Sequence, residues 1–97
     1  MDKEKFLAWR NEYLDLCRKC AVLPRGQFGI SLNVPDEYKV VFNKIVYYPQ
    51  GYELDFDEKG NARHIAILHD LKANGITRAP LIKLKKYLGG KNESEGK

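Results

Sequence analysis

A chain of 97 residues with 43% hydrophobic content is long enough to bury one core and too short for two, so a single domain is expected. Charged side chains make up 31%, with no internal repeat and no low-complexity tract, which excludes a solenoid or a wholly disordered chain. The net charge of +4 is unevenly placed: residues 1–35 carry six basic and four acidic side chains, residues 36–70 four and seven, and residues 71–97 seven and two, so a positive C-terminal quarter follows an acidic middle.

The N-terminus, MDKEKFLAWRNEY, is charged throughout its first turns. It reads as neither a secretory signal nor a membrane span, and a cytoplasmic protein is expected. Two cysteines need no disulfide framework and fit a reducing compartment. Asp2 is placed to cap a helix running to about Lys19, with Glu4 near the positive end of its dipole. Phe6, Trp9, Tyr13, Leu16, Cys17 and Cys20 recur at three- and four-residue steps and form one apolar stripe.

Val22, Leu23 and Pro24 end that helix, and Arg25 to Gly29 reads as a turn-rich connection. Ile30, Leu32 and Val34 alternate with polar residues before Pro35, which predicts a short strand. Lys39 to Phe42 and Ile45 to Tyr48 read as a hairpin about Asn43-Lys44, or as one strand bent there. Pro49-Gln50-Gly51 then separates them from the next element.

Residues 52–71, YELDFDEKGNARHIAILHDL, read as a tight β-hairpin. Tyr52, Leu54 and Phe56 alternate with Glu53, Asp55 and Asp57, the period of a half-buried strand. Asp57-Glu58-Lys59-Gly60 fits a type I turn followed by a left-handed glycine. That turn sets Phe56 opposite Ala62, Asp55 opposite Arg63, Leu54 opposite His64 and Tyr52 opposite Ala66, with Asp55 and Arg63 as a salt bridge. Ile65 and Ile67 give the returning strand a second apolar side and make it central.

Asn74-Gly75 carries a two-residue hairpin signal that would pair Ala73 with Ile76, with the end of a short helix over 69–74 as the alternative. Pro80 starts either a short helix, with Leu81, Leu84 and Leu88 on one side, or a last edge strand. Residues 1–88 are thus expected to form one α+β domain, an N-terminal helix on a curved antiparallel sheet of about five strands, and residues 89–97 a disordered polar tail.

No residues are assigned to catalysis, to a metal or to a cofactor. Cys17 and Cys20 lie at the far end of the helix, where the dipole disfavours a thiolate, and His64 and His69 are an odd number of residues apart on one strand. His69-Asp70 lacks a marked nucleophile. Glu53, Asp55 and Asp57 read as a solvated face. The basic segment of Lys72, Arg78, Lys83, Lys85, Lys86 and Lys91 is the strongest binding candidate, and Tyr47, Tyr48 and Tyr87 are candidate stacking platforms beside it. The bland alternative is a solubilising face.

Residues 47–84, and above all HIAILHDLKANGI, resemble small uncharacterised proteins carried by phages, prophages and conjugative elements of Gram-positive bacteria. The resemblance implies a context in which inhibitors of host defence occur, including anti-CRISPR proteins and sponges for signalling nucleotides. It implies a non-catalytic protein that binds a host or defence macromolecule. A small basic nucleic-acid-binding module is the second expectation, and a small hydrolase or metal protein the third.

Overall fold

A computed structural model describes residues 2–24, 34–70 and 75–89 of the chain. The stripe forms helix α1, Lys3–Ala21, two residues longer than expected. Its cap is Asp2, whose Oδ1 accepts the Lys5 amide at 2.8 Å. Tyr13, Leu16 and Cys20 are buried along it, and Phe6, Trp9 and Cys17 pack beside them.

Five strands follow: β1 (Val40–Phe42), β2 (Ile45–Phe56), β3 (Ala62–Asp70), β4 (Gly75–Pro80) and β5 (Lys85–Lys86). They form one antiparallel sheet in the order β4-β3-β2-β1-β5, the α+β architecture expected. Of the two forms open for residues 39–48, the hairpin is the one present, because Asn43 and Lys44 both take positive φ (52° and 65°) as a type I′ turn demands. The expected register of the β2–β3 hairpin is present pair for pair, from Tyr52–Ala66 to Phe56–Ala62. Gly60 closes its turn at φ 84°.

Three expectations change. Pro49 does not end a strand: β2 runs straight through it as twelve residues, with the register to β3 shifting between Pro49 and Gly51. Pro49 lies opposite Leu68, and its missing N–H faces the side where β1, which reaches only Tyr47, supplies no acceptor. Second, Ile76 pairs with His69 and Asp70 with Gly75, so Gly75 belongs to the strand and Ile76 is not the partner of Ala73, which with Asn74 lies outside the described residues. That register sets Ala79 beside Ala66 and Thr77 beside Leu68, and burial of the small and branched side chains outweighs the local Asn-Gly preference. Third, the segment after Pro80 does not form the helix with Leu81, Leu84 and Leu88 on one side: a 3₁₀ turn at Leu81–Lys83 leads into the two-residue edge strand β5, and Leu88 is exposed beyond it. Residues 30–33 of the strand expected before Pro35, and residues 90–97 of the tail, lie outside the described residues.

The core lies between α1 and one side of the sheet, where Tyr13, Leu16, Val40, Tyr47, Ala66, Leu68, Ala79, Leu81 and Leu84 are buried together. Trp9 Nε1 donates to the Leu81 carbonyl at 3.1 Å and fastens the turn after β4 to the helix. No helix among the described residues is long and apolar enough to cross a membrane.

Candidate binding surface

Among the described residues, the basic segment does not gather into one free surface. Arg78 is bidentate to Glu53, with Nη1 to Oε1 at 3.0 Å and a second bond from Nη2 to Oε2. Lys86 reaches across to Glu12 of α1 at 2.6 Å. Lys83 and Lys85 are exposed and carry no ion pair among the described residues, while Lys72 and Lys91 lie outside them. Tyr47 and Tyr48 are 6% and 2% exposed, so neither ring offers a face to a base, which corrects their expected role as stacking platforms. Tyr47 is bracketed by apolar neighbours in the strand pattern and fills the core; Tyr48 packs on Cys20 and Val34. Tyr87 is half-buried beside the Lys39 ammonium.

A different surface stands out at the free end of the central hairpin. A 19-residue helix is about 28 Å long at 1.5 Å per residue. The twelve residues of β2 extend over about 40 Å at 3.3 Å per residue. The helix therefore cannot cover the whole strand. Its N-terminus stops over His64, where the Phe6 ring meets the imidazole edge-on at 4.8 Å. Beyond that contact Leu54 and Phe56 share the helix-facing side of β2 with Tyr52, yet they are 49% and 57% exposed. The expected alternation of β2 is present, but the side that carries Leu54 and Phe56 is open at this end of the strand. Ile82, half exposed on the turn after β4, completes the apolar rim.

Within this rim lies a shallow groove of about 440 Å³ lined by Lys3, Phe6, Ala62, His64 and Ile82. The Tyr52 hydroxyl and His64 Nδ1 share a hydrogen bond of 2.5 Å, which fixes the imidazole in the groove wall. Glu53 and Asp55 of the hairpin point to the opposite side of the sheet, where Asp55 pairs with Arg63 and Glu53 with Arg78. Lys3 is thus the charged group that the groove itself presents. Sequence reasoning missed the exposure of Leu54, Phe56 and Ile82 and the place of Phe6 and His64 in the groove between them. Strand alternation shows which side a residue faces, and how far a helix reaches along that side is a tertiary fact.

Cys17, Cys20 and His69 are engaged in packing. Burial pushes the Cys17 thiol up to about 11, opposite to the activation a nucleophile needs. Cys20 is fully buried beside Val34 and Tyr48. His69 is buried with its ring 5.2 Å from that of Tyr48, and no three His, Cys, Asp or Glu side chains among the described residues converge as metal ligands. No protein-family profile matches the chain, and no curated protein or solved structure shows significant similarity to it.

Proposed function

We propose that the chain is a non-catalytic binding protein of a phage or other mobile element, acting in the cytoplasm, where it inhibits a host or defence macromolecule by occupying it. The observation that carries this reading is the apolar end of the hairpin: Leu54, Phe56 and Ile82 stand exposed around the Phe6–His64 groove. Clustered exposed apolar side chains cost solubility, and they are retained where a partner covers them. The engagement of His64, His69 and Cys17 in packing supports binding over catalysis. The resemblance of residues 47–84 to mobile-element proteins supports the choice of partner.

The test is phage plaquing on matched hosts with and without defined defence systems, each expressing the wild type or Leu54→Asp/Phe56→Asp. Expected is restored plaquing by the wild type on a defended host and loss of that effect in the double variant, which melts at an unchanged temperature. Equal plaquing with the wild type and with an empty vector across the panel defeats the inhibitory reading. Retained inhibition by the folded double variant moves the contact away from the hairpin.

The nucleic-acid reading draws on Lys83 and Lys85 alone among the described members of the basic segment, because Arg78 and Lys86 already hold carboxylates. Its signature would be an affinity for DNA or RNA that falls steeply with salt.

A further inference from the structure

The two edges of the sheet are built differently. β5 is two residues long and both are lysines, a short charged edge of the kind that keeps other strands away. β4 is six residues long, and its one charge, Arg78, is drawn back over β3 to Glu53 on β2. Ile76 on the same strand is 55% exposed.

Two prolines fix which backbone groups of β4 point outward. Pro80 has no N–H and pairs with Ile65, so that pair cannot be a hydrogen-bonded one, and bonded pairs alternate from there: Ala66–Ala79, Leu68–Thr77 and Asp70–Gly75. Pro49 opposite Leu68 gives the same phase from the other side of β3, since Leu68 must then turn its N–H and C=O towards β4. The N–H and C=O groups of Ile76 and Arg78 therefore point out of the sheet.

We propose that this edge joins two copies of the chain, with β4 antiparallel to its counterpart about a two-fold axis through Thr77. In that register Ile76 lies opposite Arg78 of the second copy and Arg78 opposite its Ile76, and the outward groups of both residues pair completely. A two-fold axis at Arg78 would set guanidinium against guanidinium and put Ile76 opposite Pro80, which lacks a donor. A two-fold axis at Ile76 pairs only Ile76 with itself inside β4. The register about Thr77 is the self-complementary one, and it lays Ile76 along the aliphatic part of the opposing Arg78. The two sheets become one, and the hairpin ends stay free.

Sedimentation equilibrium of the wild type, Ile76→Lys and Ile76→Glu tests this. At about 100 µM protein the wild type is expected to populate a dimer, since a dissociation constant of that order is enough. Ile76→Lys faces Arg78 of the other copy and should weaken the dimer at least about tenfold, whereas Ile76→Glu faces the same cation and should hold or tighten it at low salt. Amide exchange supplies a second readout, with Ile76 and Arg78 gaining protection as concentration rises. A wild type that stays monomeric at that concentration overturns the proposal. So does an equal effect of Lys and Glu, or concentration-dependent protection confined to other amides.

Discussion

The Tyr13 hydroxyl donates to the Gly51 carbonyl at 2.7 Å and lies 3.2 Å from the carbonyl of Ile67, so the helix is pinned to the sheet at the irregularity in β2. Gly51 follows the register shift and is paired with Ile67, and the fully buried tyrosine satisfies backbone oxygens where the ladder is interrupted. Burial, with Cys17 nearby, raises the pKa of this phenol, which stays a donor throughout the ordinary pH range.

Replacing Tyr13 with Phe keeps the ring and removes the donor. The expected loss is about 1–3 kcal/mol, the cost of leaving a buried backbone acceptor unmet. Urea unfolding measures it. A loss no larger than that of an exposed substitution would mean that the helix is held by apolar packing alone.

Gly60 and Gly75 separate conformation from space. Neither has an atom within 4 Å of an added Cβ, but Gly60 sits at φ +84°. Gly60→Val should cost about 1–2 kcal/mol through the left-handed backbone it imposes on a β-branched residue. Gly75→Ala should change stability by less than about 0.5 kcal/mol. Thermal melts of the two variants compare them directly.

Acid should loosen the hairpin. Asp57 Oδ1 accepts the amides of Lys59 and Asn61, each at 2.9 Å, and these bonds, the one from Asn61 first, hold its carboxyl below the ordinary range. Asp55 is lowered by the Phe56 amide first and by Arg63 next. Because the folded pKa values lie below the unfolded ones, this stabilisation is complete above the ordinary carboxylate pKa of about 4 and is lost as pH falls through the folded values. Melting temperature followed from pH 7 downward should drop in that acid window, and Asp57→Asn should flatten part of the drop. An Asp57→Asn curve parallel to the wild type would remove Asp57 from the account.

Two apolar residues on the same side of the sheet should respond very unequally. Leu68→Ala opens a cavity at a fully buried position and should cost about 2–5 kcal/mol. Phe56→Ser, at a residue 57% exposed, should cost less than about 0.5 kcal/mol. Denaturant midpoints decide whether the hairpin end is surface or core.

Local chemistry in the sequence determined the helix with its Asp2 cap, the type I turn closed by Gly60, the Asp55–Arg63 pairing and the α+β class. Each of these depends on residues close in the chain or on a register that one turn sets. Longer-range competition decided the rest. Pro49 is tolerated inside β2 because β1 stops before it, and Ile76 pairs with His69 because the small side chains of β3 and β4 must face the helix together. Leu54 and Phe56 alternate as core residues do, but the helix ends over His64, so they became surface. Arg78 and Lys86 read as free cations in a basic run until folding brought Glu53 and Glu12 to them across 25 and 74 residues of chain. Alternation and charge runs specify what a side chain prefers, and only the tertiary structure decides which partner is within reach.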